Sequence, residues 1–126
     1  MEICVVGTGY VGLVVGVCMA DLGFVVTCAD RDEAKIRMLQ AGKVPIYEPG
    51  LEAILRRATR EGRLTFTTDT ASSIQTADVV YIAVGTPSAD DGSADIRGVL
   101  AVAELAGRHL RKRATADGIR VGSERR

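Results

Sequence analysis

The sequence predicts an α/β fold in which helices flank a doubly wound, parallel sheet. Short β-branched runs alternate with stretches of helical periodicity, a glycine-rich turn follows the first run, and an acidic residue follows the second. A chain of 126 residues is long enough for one domain with one core. Its net charge of zero argues against a nucleic-acid partner and gives no support for binding to a membrane.

The first third of the chain predicts two strands and two helices. Residues 2–6 (EICVV) and 25–29 (VVTCA) are apolar and β-branched, as strands buried on both faces are. A helix is expected between them and a second one over residues 32–41. The apolar spacing predicts that the first helix buries one face, made of Val11, Val14, Val15, Cys18 and Leu22.

The rest of the chain continues the alternation. Two prolines and a glycine predict a loop over residues 43–50. Helices are then expected at residues 51–58, 70–76 and 96–110, and strands at residues 64–67 and 79–84. This alternation implies right-handed crossovers and a parallel sheet. In sheets of this kind a ligand is expected at the carboxyl ends of the strands.

A glycine-rich turn lies between the first strand and the first helix. Residues 7–12 (GTGYVG) form a G-x-G-x-x-G, and this position makes the pattern indicative of dinucleotide binding. Gly7 permits a tight turn, Gly9 lets the backbone approach a pyrophosphate, and Gly12 lets the helix pack on the strand. The helix N-terminus offers N–H groups to the phosphates. The alternative is a turn that binds nothing, and we favour a Rossmann-type cofactor domain.

Asp30 ends the second strand, 18 residues after Gly12. A carboxylate there can accept hydrogen bonds from the adenosine ribose and repels a 2′-phosphate, so NAD is expected rather than NADP. Arg31 works against this preference, since an arginine can accommodate a 2′-phosphate. The alternative role of Asp30 is only to cap the following helix.

Thr86 follows the strongest predicted strand, at the same edge of the sheet as the glycine-rich turn. Its hydroxyl could reach the cofactor, but the turn at Pro87 explains this segment equally well. His109 is expected only to complement the C-terminus of the last helix.

The cysteines Cys4, Cys18 and Cys28 all lie in apolar runs without metal-ligand spacing. We expect them to be buried and reduced, as in a cytoplasmic protein, with no metal site and no catalytic residue among them.

Four motifs together resemble one family. They are GTGYVG at residues 7–12, PIYEPGL at 45–51, VGTP at 84–87 and DGSADI at 91–96. In this order they closely resemble the NAD-binding domain of the UDP-glucose/GDP-mannose 6-dehydrogenase family, most of all its UDP-glucose branch. The resemblance implies NAD contacts from the turn, including Tyr10 and Val11 besides its glycines, and from Asp30, Lys35 and Thr86.

The resemblance also implies an activity. Members of this family oxidise the C6 alcohol of a nucleotide sugar to a carboxylate with two NAD molecules, through a thiohemiacetal on a cysteine, and they are homo-oligomers. The match covers residues 1–110, so the chain is expected to be the cofactor-binding part, inactive alone. One alternative is a freestanding NAD-binding module without catalysis. Another is a different sugar, GDP-mannose or UDP-N-acetylmannosamine.

Residues 111–126 differ from the rest in charge. They hold six basic and two acidic side chains, whereas residues 1–110 hold ten and fourteen. Such a segment is typical of a disordered tail or of sequence that follows a change of reading frame near codon 110, and we favour the latter. We therefore expect a cofactor domain at residues 1–110, its sheet incomplete on the C-terminal side, and an atypical basic tail.

Overall fold

The computed structural model of the protein describes residues 1–110 in full and only the backbone of Thr115–Gly118 and Val121–Gly122. Among residues 1–110, no helix is long and apolar enough to cross a membrane. The strands are β1 (Glu2–Val6), β2 (Val25–Ala29), β3 (Leu64–Thr67), β4 (Val79–Ile82), β5 (Gly85–Thr86), β6 (Thr115–Gly118) and β7 (Val121–Gly122). The helices are α1 (Tyr10–Asp21), α2 (Glu33–Gln40), α3 (Leu51–Arg60), α4 (Thr70–Thr76) and α5 (Arg97–His109).

Five strands form one sheet in the order β3-β2-β1-β4-β6, and every neighbouring pair is parallel. Strand β1 lies in the middle, so that Cys4 is paired with Thr27 of β2 on one side and with Val80 of β4 on the other. In chain order, β2 and β3 extend the sheet on one side of β1, and β4 and β6 then extend it on the other side. This order confirms the predicted doubly wound α/β fold.

The two faces of the sheet carry separate clusters of buried side chains. Along β1, Ile3 and Val5 belong to the cluster that α1 and α3 cover, whereas Cys4 and Val6 belong to the cluster with α4 and α5. The central strand is therefore buried on both faces, as its sequence predicts. Each fully buried valine, leucine or isoleucine contributes about 1.5–3 kcal/mol through removal of its surface from water.

Helix α1 turns a different face to the sheet from the predicted one. Leu22 is 77% exposed and Cys18 is also exposed, while the helix buries a different set of residues. The buried set is Gly12, Leu13, Gly16, Val17 and Ala20. The prediction was wrong because α1 is apolar on almost every side, so hydrophobic spacing does not select a face. Close approach to the sheet at one glycine selects it instead, since a Cβ at Gly16 would lie 2.5 Å from the sulfur of Cys28.

The backbone of Thr115–Gly118 extends the sheet beyond β4. Its four residues pair with Val79–Ile82, and Val121–Gly122 pairs with β5. These six residues of the expected basic tail thus have the backbone of strands. Parallel pairing uses backbone groups, so the open edge of β4 accepts a strand of almost any sequence. Residues 111–114, 119–120 and 123–126 lie outside the described residues, and the domain boundary at residue 110 stays a prediction.

The contact of α1 with the sheet generates a stability prediction. Gly16→Ala should lower the free energy of unfolding by about 1–3 kcal/mol, because the added methyl group overlaps the Cys28 sulfur in a packed core. Gly107→Ala is the matched control, since Gly107 lies within α5 and no described atom is within 4 Å of its Cβ position. It should instead stabilise the protein, by up to ~1 kcal/mol, through helix propensity. Urea unfolding of both variants measures this, and equal effects would contradict the packing of α1.

Candidate functional site

A cleft of about 500 Å³ opens at the carboxyl ends of β1, β2 and β4, where the strand order reverses. Two backbone hydrogen bonds hold these strand ends together: Gly7 N–H donates to the Ala29 carbonyl at 2.8 Å, and Ala83 N–H donates to the Val6 carbonyl at 2.7 Å. A crevice of this kind is where open α/β sheets bind ligands. Its lining consists of Val6, Gly7, Thr8, Gly9, Tyr10, Asp30, Arg31, Lys35, Thr70, Ala83, Val84, Gly85, Gly98, Ala101, Val102 and Leu105.

The glycine-rich turn forms the floor of the cleft. Gly7 has a φ of +105°, and a Cβ there would lie 2.5 Å from the Ala83 carbonyl oxygen, so only glycine fits. A Cβ at Gly12 would overlap the Gly7 carbonyl, which fixes how closely α1 follows the turn. At Gly9, by contrast, no described atom lies within 4 Å of the Cβ position, and the backbone faces open space.

The N-terminus of α1 is suited to an anion. Its N-cap residue is Gly9, which provides no side-chain cap, and its first turn contains no acidic residue. The first N–H groups of any helix have no acceptor within the helix, and here no side chain of the first turn or of the N-cap residue occupies them. Together with the open space at Gly9, these groups form a cradle that fits a pyrophosphate.

The carboxylate of Asp30 lies at the next strand end. Its Oδ2 accepts hydrogen bonds from the backbone N–H of Thr8 at 2.9 Å and from the Thr8 hydroxyl at 2.7 Å. Its Oδ1 accepts one from the backbone N–H of Asp32 at 3.0 Å, and the Lys35 Nζ lies 4.0 Å from Oδ2. Burial alone raises the pKa of Asp30, but these hydrogen bonds and the lysine charge outweigh burial and lower it. Asp30 is thus a fixed anion near neutral pH.

The opposite wall of the cleft is apolar. It consists of Val84 after β4 and of Ala101, Val102 and Leu105 on one side of α5, with Gly98 nearer the start of that helix. A narrow apolar wall beside a few fixed polar groups is the usual form of a pocket for a planar ring. The cleft thus offers surfaces for an apolar ring, a ribose and a pyrophosphate, as an adenine dinucleotide requires.

The structure brings most of the predicted site residues into one cleft. Gly7, Gly9, Tyr10, Asp30 and Lys35 line it. Val11 and Gly12 lie next to them in the first turn of α1 without lining it, and Gly12 is buried. Thr86 is only 1% exposed in β5 and does not line the cleft.

Sequence reasoning missed Thr8 and the wall from α5. Thr8 occupies a position at which the glycine pattern accepts any residue, so the motif gives no signal for it. The α5 residues are more than sixty positions from Asp30 in the chain. Only the alternation of strands and helices, extended to a full topology, could have placed them at this edge.

A side-chain hydrogen bond connects the loop over residues 43–50 to the glycine-rich turn. The phenol of Tyr10 donates a hydrogen bond to Oε2 of Glu48. This bond and the carboxylate charge raise the pKa of Tyr10. The neighbouring Tyr47 is 92% exposed. The loop thus meets the rim of the cleft through Tyr10.

None of the three cysteines lines the cleft. Cys4 and Cys28 are buried as expected, and burial raises the pKa of the Cys4 thiol to about 12 and that of Cys28 further. Their thiols are therefore poor nucleophiles. Cys18 is exposed, contrary to expectation, because α1 turns that side away from the sheet.

Comparisons with known sequences agree with this geometry. The profile of the UDP-glucose/GDP-mannose dehydrogenase family, NAD binding domain, matches residues 1–117. A UDP-glucose 6-dehydrogenase of Pseudomonas aeruginosa is 53% identical over 112 residues, which are 89% of this chain and 25% of that protein. One of Bacillus subtilis is 51% identical over 109 residues, 86% of this chain and 24% of that protein. The chain thus spans about a quarter of the length of these relatives.

Solved structures give the same result. A GDP-mannose dehydrogenase from Pseudomonas aeruginosa, crystallised as a ternary complex, superposes with a TM-score of 0.90 at 36% identity, over 95% of this chain and 28% of that one. A UDP-glucose dehydrogenase from Pyrobaculum islandicum superposes with a TM-score of 0.89 at 41% identity, over 94% of this chain and 28% of that one. The described fold is therefore shared with the corresponding part of these longer enzymes.

The contact between Tyr10 and Glu48 generates a prediction about the loop. Tyr10→Phe removes the only donor of that hydrogen bond, and a typical net value of ~0.5–1.5 kcal/mol implies an open loop about 2- to 10-fold more populated. Trypsin should therefore cleave after the exposed Lys43 faster by a similar factor. Tyr47→Phe, in the same loop but with an exposed side chain, should leave the rate unchanged. If the two variants are cleaved equally fast, Tyr10 does not hold the loop.

Proposed function

Because this chain belongs to the UDP-glucose/GDP-mannose dehydrogenase family through its NAD-binding domain, we propose that it is the cofactor-binding part of a UDP-glucose 6-dehydrogenase. The observation that carries the proposal is the cleft, in which an uncapped helix N-terminus and a fixed carboxylate flank one apolar wall. The relatives support UDP-glucose as the sugar of this proposal, since those of Pseudomonas aeruginosa and Bacillus subtilis are both UDP-glucose 6-dehydrogenases.

In this proposal each part of NAD has a place in the cleft. The N–H groups at the start of α1, with Gly9 and Val11, bind the pyrophosphate. Asp30 accepts a hydrogen bond from the adenosine ribose, and the Lys35 ammonium donates to the same region. The adenine packs against Val84 and the apolar side of α5. Thr86 stays a predicted contact. When bound, NAD supplies the acceptor for a hydride from the sugar alcohol.

The chemical step requires groups that the cleft does not provide. Among the described residues, its lining contains neither a cysteine nor a histidine, and its carboxylate is already bonded to Thr8. The lining thus lacks the cysteine through which the family resemblance implies that the alcohol is oxidised. We propose that the nucleotide sugar and the catalytic cysteine come from the remainder of a longer, homo-oligomeric enzyme that works in the cytoplasm.

A second candidate is a freestanding NAD-binding module without catalysis, and the same absence of a cysteine from the described cleft lining favours it. A different sugar is a further alternative, since the GDP-mannose dehydrogenase shares the fold at 36% identity. Mixing the purified chain with the substrate and catalytic region of a relative distinguishes part of an enzyme from a module. NADH formation from UDP-glucose identifies the enzyme, and formation from GDP-mannose alone identifies the other sugar. If neither sugar yields NADH, the result supports the freestanding NAD-binding module.

Asp30 provides the direct test of the cofactor site. Asp30→Ala should weaken NAD binding about 10- to 100-fold, in line with ~1.5–3 kcal/mol for a hydrogen bond to a charged group. NADP binding should change less, because the variant also loses the charge that repels a 2′-phosphate. Isothermal titration calorimetry with both nucleotides measures the two constants.

The control for this variant is Asp69→Ala. Asp69 also accepts a backbone hydrogen bond as an N-cap, from Ser72 in α4, but it does not line the cleft. This variant should bind NAD as the original chain does. An original chain that fails to bind NAD would contradict the proposed function, and unchanged binding of both nucleotides by Asp30→Ala would contradict the assigned role of Asp30.

A further inference from the structure

Thr8 is a buried polar residue at the edge of the cleft. Its relative exposure is only 1%, although it lies in the turn that a cofactor approaches. Both of its donors point to one acceptor: the hydroxyl donates to Asp30 Oδ2 at 2.7 Å and the backbone N–H donates to the same oxygen at 2.9 Å. Both donors of Thr8 are thus bound to the Asp30 carboxylate.

The acceptor capacity of Asp30 is correspondingly reduced. A carboxylate offers about four lone-pair positions, two on each oxygen. Thr8 occupies both positions on Oδ2, and the Asp32 N–H occupies one on Oδ1. One position on Oδ1 remains for a ligand. A hydroxyl group can donate to it, whereas a phosphate at the same place has only oxygens to offer and meets a negative charge.

We propose that Thr8 is a positioning residue, which holds Asp30 by Oδ2 so that Oδ1 alone is presented to a ribose hydroxyl and NAD is selected over NADP. This inference rests on the proposed NAD site and adds the group that orients its carboxylate. The rotamer of a free aspartate is mobile, and the two bonds from Thr8 remove that freedom before the cofactor arrives. A residue of the glycine-rich turn thus contributes to the selectivity for NAD over NADP.

The side chain of Thr8 can be changed without losing its backbone bond. Thr8→Val removes the hydroxyl and keeps the shape and the N–H, so Oδ2 loses one of its two donors. NAD affinity should fall about 2- to 10-fold, because binding must then order the Asp30 side chain, while NADP affinity hardly changes. The preference for NAD over NADP, measured as the ratio of the two dissociation constants, then decreases by the same factor. Thr8→Ser keeps the hydroxyl and should restore most of the ratio.

Two comparisons separate positioning from a general loss of structure. Thr27→Val makes the same chemical change within β2, away from the cleft lining, and should leave both constants unchanged. In the Asp30→Ala background, Thr8→Val should have no further effect on NAD binding, because the group that it positions is gone. An equal loss in both backgrounds, or an unchanged ratio in Thr8→Val, would overturn the inference. If Thr8→Val does not fold, Thr8→Ala removes the same hydroxyl with a smaller side chain.

A second measurement needs no cofactor and so separates this inference from the proposed function. Carbon-13 NMR follows the Asp30 carboxyl through an acid titration. The charged groups around it are Lys35, Arg31 at the cleft and Asp32, which contacts it through its backbone. All remain in Thr8→Val, so the pKa of Asp30 should rise relative to the original chain. An unchanged pKa would overturn the positioning role even if NAD binds. Absence of NAD binding in the original chain would overturn the proposed function instead.

Discussion

The close approach of α1 to the sheet is the constraint on which the rest of the structure depends. Three glycines make it possible: Gly7 turns the chain against the Ala83 carbonyl, Gly12 lies over Gly7, and Gly16 lies over Cys28. A side chain at any of them would push the helix away from β1. With the helix in place, its N-terminus opens at the carboxyl end of the central strand, where the strand order reverses. The same packing thus determines both the position of the helix and the position of the cleft.

The cleft separates two opposite electrostatic features. At the start of α1 the helix dipole and N–H groups without a side-chain cap favour negative charge. At the end of β2, Asp30 stays ionised because hydrogen bonds and Lys35 lower its pKa against the effect of burial. One region attracts phosphate oxygens, and the other accepts hydroxyl groups and repels phosphate. Thr8 connects the two regions, since it belongs to the turn and binds the carboxylate.

Several features were predictable from the sequence because they depend on neighbouring residues. The β-branched runs predict strands buried on both faces, and the glycine pattern with Asp30 predicts a cleft at the ends of β1 and β2. The buried face of α1 was not predictable, because Val15 and Val17 are equally apolar and only the volume available against the sheet distinguishes them. Thr8, the α5 wall and the pairing of Thr115–Gly118 depend on contacts between distant parts of the chain. Local patterns carry no information on these contacts.

The proposed NAD site requires the glycine-rich turn and Asp30 to bind the cofactor together. The most direct measurement is a titration of the nitrogen-15-labelled chain with NAD, followed by amide NMR. We expect the largest saturable shifts at Gly7, Gly9 and Gly12, at the amides around Asp30, and at the side of α5 that includes Ala101 and Leu105. The absence of saturable shifts, or shifts confined to residues outside this cleft, would contradict it.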